Sequence, residues 1–416
     1  MLDTLTRLPR DTQLLLGARA ARSIGQGALI VAFALYLAAL GWSAVAIGGL
    51  FTAGLLLDAL LVMVSGPASD RFGRKRFLIV FECAQTAAAL TALVTAHPAA
   101  LVVATLAGGF GRGVNGSSGP FAPVELAWLS QALTREQRGR VYSLNMAIGF
   151  SGMGIGAFLA GLPSWLSCMI NGPLAYRPLF AMTLAGSLVC IGLLAAATDR
   201  APPAPAPASV GADADQRQEN RLLLTLFAVN SLNGVGIGLV GPLMAYWFSA
   251  RFGQGPDDIG VVMALGYFVT AGASVAAARL VDRVGTVAAV VWMRLASVVI
   301  LLALPLMPSF ALAAMLHIAR SALNRGTAGA RQALTVSLVR GHRRGVAAST
   351  SSLAIQLPRA AGPVIAGVFF GAGYLAAPFY VAAGFFASYV FFFRLAFRAY
   401  DPSRSAADTT HPKSSI

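Results

Sequence analysis

The sequence predicts an all-helical (all-α) membrane protein with twelve transmembrane helices in two pseudo-symmetric bundles of six. Three observations carry that expectation. First, 57% of the 416 residues are hydrophobic and only 11% are charged, with a mean hydropathy of +0.70. A soluble domain carries about 25% charged residues, so a chain this poor in charge has lipid as its main solvent. Second, the chain resolves into twelve apolar runs of the roughly 20 residues that one bilayer crossing needs. Third, the runs form two sets of six on either side of 199–220 (DRAPPAPAPASVGADADQRQEN). That segment is rich in Pro, Ala and charge, cannot cross lipid, and reads as a flexible linker.

The first six spans are placed near 12–40, 44–66, 77–96, 99–130, 140–162 and 177–198. The second six fall near 221–250, 257–280, 286–307, 309–336, 346–370 and 376–399. The chain then divides into an N-terminal bundle over 1–198, the linker 199–220, a C-terminal bundle over 221–400 and a tail over 401–416. The start, MLDTLTRLPRDTQLLL, lacks a basic region followed by a cleavable apolar core, so it reads as a tail and not a signal peptide. Arg71, Arg74, Lys75 and Arg76 share one side with Arg135, Arg138 and Arg140, and with Arg340, Arg343 and Arg344. The opposite loops hold little beyond His97, Arg177 and Arg251. The positive-inside rule makes the basic side cytoplasmic, with both termini and the linker there, in a bacterial-type inner (plasma) membrane.

Other classes are excluded on the same residues. The net charge of +15 sits in short clusters between apolar runs, not in a basic stripe with interleaved aromatics, so nucleic acid is not the partner. Cys83, Cys168 and Cys190 form neither a disulfide framework nor a metal spacing, and Cys83 and Cys190 lie in apolar runs as packing residues. There is no P-loop, no metal-ligand spacing and no Gly-x-Ser-x-Gly elbow, so no enzyme, no bound metal or cofactor and no direct ATP coupling is expected.

The two halves echo each other. Arg22-Ser-Ile in the first span matches Asn230-Ser-Leu in the seventh, and Arg112 in the fourth matches Arg320 in the tenth. Asp70-Arg71-Phe72-Gly73 after the second span returns as Asp282-Arg283-Val284-Gly285 after the eighth. Repeated halves of this kind mark secondary transporters.

The sharpest motif runs from Gly66 through Asp70-Arg71-Phe72-Gly73-Arg74-Lys75-Arg76. It resembles the cytoplasmic loop signature of the major facilitator superfamily, G-x-x-x-D-R-x-G-R followed by Arg or Lys. Gly66 would allow close helix approach and Gly73 the turn. Asp70 would face a helix N-terminus or an Arg, and the basic run would rest on anionic lipid. Arg112-Gly-Val-Asn115-Gly116 resembles the family's R-x-x-x-G motif, with Asn where Gln is commoner. In the drug–proton antiporters the matching Arg is implicated in proton transfer; the structural alternative is an Arg that bonds backbone carbonyls of the first helix. Glu125 and Arg138-Gly139 resemble the family's Glu…Arg-Gly arrangement, which implies a gate in which Glu125 pairs with Arg74 or Arg71 when the cytoplasmic side is closed; the alternative is a solvated helix end. Gly149, Gly152, Gly154, Gly156 and Gly161 in the fifth span, and Gly362-Pro363 with Gly367 in the eleventh, supply close helix packing.

The resemblance implies that the first, fourth, seventh and tenth helices line a central cavity. Arg22, Gln26, Arg112, Asn115, Asn230, Asn233, Arg320 and Asn324 would then face a substrate. Asp58 and Arg359 would meet where the second and eleventh helices cross between the halves. Asp58, Arg112 and the shallower Glu82 are the candidates for proton coupling, and Arg294 is a further deep charge. The implied function is alternating-access transport of a small organic solute by a monomer, as proton-coupled efflux, most like the drug and metabolite antiporter branch. The alternatives are uptake of an organic anion through an Arg-lined cavity, and a non-transporting receptor or scaffold on the same fold.

Overall fold

The computed structural model describes residues 8–111, 119–131, 133, 135–167, 169–170, 172–199, 213–326, 331, 334 and 344–397. Twelve helical passes make two bundles of six. In the first bundle they are Arg10–Ala39, Ala44–Phe72, Arg74–Val94, a fourth span in two pieces (Pro98–Gly108 and Phe121–Gln131), Arg135–Leu159 and Arg177–Ala196. The second bundle has Asp213–Val240 continued by Met244–Phe252, then Pro256–Val284, Thr286–Ala303 and a tenth span described over Phe310–Gly326. An eleventh in two pieces (Arg344–Arg359 and Gly362–Gly371) and Ala377–Phe397 complete it. Among the described residues, nine helices are long and apolar enough to cross a membrane on that criterion alone.

Three local differences from the expected spans have clear causes. The fourth span is not one helix over 99–130. It stops at Gly108, and Gly109, Gly111 and Gly119 have φ of +72°, +75° and +55°, a left-handed backbone that ends an α-helix. The eleventh span breaks between Arg359 and Gly362, where Pro363 has no N–H to donate and its ring clashes with the carbonyl four residues before it. The seventh helix begins at Asp213, inside the segment read as linker. The last proline of that segment is Pro207, so nothing in the sequence beyond it forbids a helix.

Glycines set how the helices meet. Within the first bundle, a Cβ on Gly156 would strike the Ile24 carbonyl, and one on Gly27 the backbone at Met153, so the first and fifth spans touch backbone to backbone. In the second bundle Gly234 and Gly238 lie in the same way against the Ile355 and Arg359 carbonyls, joining the seventh and eleventh spans. The repeat is therefore one of packing as well as of sequence.

The halves are joined by two seams, again related by the repeat. In one, Gly48 abuts the Pro363 carbonyl and Gly367 abuts the Ala44 carbonyl. The break between Arg359 and Gly362 leaves the new helix start short of acceptors, and the Val364 N–H donates across the seam to Thr52 Oγ1 at 3.1 Å. In the other, Gly260 packs on the Ala157 carbonyl, the Phe150 and Tyr267 rings stack 6.3 Å apart, and Ser164 Oγ donates to Asp257 Oδ1 at 2.9 Å. Both seams lie from the middle of the spans towards the side opposite the basic loops.

Candidate functional site

Four ionisable side chains meet inside the first bundle. Arg22 Nε lies 2.6 Å from Glu82 Oε1, and Arg19 Nη1 lies 3.7 Å from Glu125 Oε2. All four residues are nearly inaccessible to solvent. Arg22 also donates to Gln85 Oε1 at 3.5 Å and sits over the Phe121 ring, 4.0 Å from its centroid. Asn145 Nδ2 donates to Glu125 Oε2 at 3.5 Å. The absence of a side chain at Gly149 makes room for the Arg19 guanidinium, which a Cβ there would meet at 2.7 Å. Two cations and two anions leave this cluster neutral, which is the condition for burying charge in a membrane interior.

Asp58 and Arg359 occupy the seam of the second and eleventh spans. Both are buried, and the Asp58 charge acts on Arg359 across the boundary between halves. Arg359 also donates to Gln356 Oε1 at 3.2 Å. The Asp58 carboxylate is packed against Gly119, where a Cβ would come within 2.7 Å of Oδ1. The start of the second piece of the fourth span thus abuts Asp58, while Phe121 and Glu125 on that piece are held by Arg22 and Arg19.

A cavity of about 40 Å³ lies on the second bundle, lined by Tyr267, His317, Arg320, Ser321, Asn324 and Arg325 among others, with Ile30 from the first span. That volume is room for a few waters, far below the roughly 300–1,000 Å³ of a ligand site. Arg325 lies over the Tyr267 ring, 4.8 Å from its centroid. Arg320 Nε and His317 Nδ1 are buried with no hydrogen-bond partner among the described residues.

On the basic side, Gly73 has φ +89° and makes the sharp turn its motif requires. Arg74 pairs with the exposed Asp70 at 3.3 Å and donates to the Ala127 carbonyl at 2.7 Å. Lys75 Nζ donates to the Ala195 and Ala197 carbonyls at 2.6 and 2.8 Å, and its backbone N–H donates to Asp199 Oδ2 at 3.2 Å. The cation at the end of the sixth helix and the anion at the start of the third each match a helix dipole. The loop therefore ties together the ends of spans within one bundle. Arg71 is exposed beside Phe72.

Several expected placements are corrected. In this structure, whose seams close the side opposite the basic loops, Glu125 turns inward to Arg19, and Arg74 takes Asp70 and a carbonyl. Glu82 is fully buried on Arg22. Arg22 consequently faces that carboxylate, and the first span contributes Ile30 to the cavity, not Arg22 or the half-buried Gln26. Gly66 is exposed, and a Cβ there would meet nothing, so no close helix approach depends on it. Asn230 donates to Ser351 Oγ at 3.1 Å, a bond between helices within the second bundle. Asn233 is buried with neither amide atom partnered among the described residues, and does not line the cavity. Of the expected cavity residues, Arg320 and Asn324 do line it. Arg112 and Asn115 lie outside the described residues, as does the side chain of Arg138. Arg294 is buried near the Phe386 and Tyr389 rings.

Arg19, His317, Arg325 and Tyr267 were not expected at the site. The spacing His317, Arg320, Ser321, Asn324 places four polar side chains on one helical face, a signal that marks His317. Nothing in the sequence marks Tyr267, which reaches the cavity from another span.

Two six-helix halves, seams along spans two–eleven and five–eight, and a small polar cavity on the second bundle define a secondary transporter of small solutes. The chain belongs to the Major Facilitator Superfamily, whose signature matches residues 15–226 and again 226–415. No curated protein sequence matches it. Among solved structures it is similar to the nucleoside transporter NupG, at 13% identity and a TM-score of 0.71, covering 94% of this chain and 100% of that one. It is similar to a D-xylose–proton symporter at 14% identity and a TM-score of 0.68, covering 92% and 96%. The human organic anion transporter TETRAN is similar at 18% identity and a TM-score of 0.62, covering 92% and 99%. At these identities the likeness is one of fold.

Proposed function

We propose that this chain is a proton-coupled exporter of a small organic solute, working as a monomer in a bacterial-type inner membrane with both termini and the 199–220 segment in the cytoplasm. The observation that carries the coupling is that Asp58, Glu82 and Glu125 are all buried within spans, each set against an Arg. Protonating any of them leaves a guanidinium without its countercharge in a medium where that is costly. The helices must then rearrange, which links proton occupancy to conformation. Asp58 leads because the Arg it acts on belongs to the other half, so its protonation bears on the seam itself. Glu82 and Glu125 act within the first bundle, through the piece of the fourth span that begins against Asp58. Arg112 is carried as a partner in proton transfer on the motif alone. The export direction rests on the likeness of the second- and fourth-span motifs to those of drug and metabolite antiporters.

The test is transport in proteoliposomes of defined orientation. The expected result is solute movement against its gradient when a pH gradient is imposed, collapsing with a protonophore. Counterflow without any response to pH would remove the proton coupling. Absence of counterflow for every solute that binds would favour a receptor or scaffold on this fold.

A further inference from the structure

We infer that the solute is an organic anion, bound through its acidic head group by Arg320, Arg325 and His317. This rests on the reading of the chain as a transporter and names the chemical class of its cargo. Arg320, Arg325 and His317 line the cavity on the second bundle, and no acidic side chain lines it. The nitrogens Arg320 Nε and His317 Nδ1 are both buried in that lining without a partner among the described residues. A buried donor is normally satisfied by protein or ligand, because leaving it unmade costs the desolvation of the group.

The contrast with the first bundle makes the point sharper. There, two buried Arg residues face two buried Glu residues. In the second half no Asp or Glu occurs anywhere between Asp282 and Asp401. The ninth to twelfth spans therefore cannot neutralise Arg294, Arg320 and Arg325 from their own residues, whatever rotamers they adopt. Asp58, the acid that does reach across, acts on Arg359. No acid lines the cavity beside Arg320 and Arg325, so a bound anion would supply the charge that the lining lacks.

The shape of the donors narrows the class. Guanidinium forks match the planar oxygens of a carboxylate or the face of a phosphate or sulfonate. Ser321 and Asn324, one and four residues beyond Arg320, add neutral hydrogen-bonding groups on the same helical face. Ile237, Met263 and Phe386 supply apolar walls, and the cavity of about 40 Å³ has to widen during the transport cycle to admit the body of the molecule. The cargo is then a small organic acid with one acidic head and an apolar part. A cation would meet the like charge of Arg320 and Arg325, which disfavours it in a low-dielectric interior.

Purified full-length protein would be tested for thermal stabilisation by three matched probes: an aromatic monocarboxylate, the corresponding neutral alcohol and the corresponding amine. The expected order is carboxylate above alcohol above amine, with carboxylate binding at least tenfold weaker in Arg320→Gln and in Arg325→Gln. The wild-type ranking needs no variant, so a variant that fails to fold does not rescue the inference. Stabilisation by the amine in preference to the carboxylate would overturn it, as would no response to the carboxylate or to its phosphonate and sulfonate analogues. Probe counterflow in proteoliposomes separates the two readings. Carboxylate binding without counterflow would sink transport while leaving the anion site. Counterflow of the amine or alcohol with no carboxylate binding would do the reverse.

Discussion

Arg22 Nε and Glu82 Oε1 lie 2.6 Å apart between the first and third spans, both side chains almost wholly shut off from solvent. A buried pair of this kind is costly to break, because the charge left behind has no other partner. Glu82→Gln is expected to destabilise the protein by about 3–5 kcal/mol, the range found when one member of a buried pair is removed. Adding Arg22→Gln should recover much of that loss, since no orphan charge then remains. Thermal unfolding of the singles and the double in detergent checks this. Equal stability of Glu82→Gln and wild type would show that the pair is dispensable.

Asp58 is the acid at the seam between halves, against Gly119 and within the field of Arg359. Asp58→Asn is expected to lose pH-driven accumulation of solute while still exchanging solute across the membrane. Proteoliposome uptake with and without an imposed pH gradient reads both quantities. If the variant still concentrates solute on a pH gradient, coupling belongs to Glu82 or Glu125.

The hydrogen bond from Ser164 to Asp257 joins the halves on the side opposite the basic loops. Alternating access requires that side to open at some point in the cycle. In a background without Cys83, Cys168 and Cys190, Ser164→Cys with Asp257→Cys should be cross-linked by a short reducible thiol reagent. Transport is expected to stop on cross-linking and to return on reduction. Full turnover by the cross-linked protein would mean that the seam does not open.

Two glycines in similar helical settings should respond in opposite ways to alanine. A Cβ on Gly156 would run into the Ile24 carbonyl, a backbone atom that cannot swing aside, whereas one on Gly49 meets nothing within 4 Å. Gly156→Ala should cost at least the roughly 1–3 kcal/mol of ordinary overpacking. Gly49→Ala should be neutral or stabilise by about 0.5–1 kcal/mol through helix propensity. Melting temperatures of the two variants decide the matter. A stable Gly156→Ala protein would contradict the backbone contact of the first and fifth spans.

The class of the protein was readable because its causes are local and additive. Twelve apolar runs, scarce charge and the loop motif at Gly73 each act through the chain's own neighbourhood, and lipid allows only a short menu of spanning structures. The positive φ at Gly73 follows from that residue alone. What the tertiary structure decided were partnerships. Glu125 could have faced the basic loop or the bundle interior, and Gly149, four spans from Arg19 in the chain, leaves the space for the Arg19 guanidinium that Glu125 meets. Arg22 has the same composition signal as Arg320, yet one faces a carboxylate and the other a cavity. That difference rests on Glu82, supplied by a third span, and on its lack of any counterpart in the second half. A lone Arg in a sequence announces that a charge is buried. Only packing states which charge answers it, because the answering group lies tens of residues away and its position depends on every helix between.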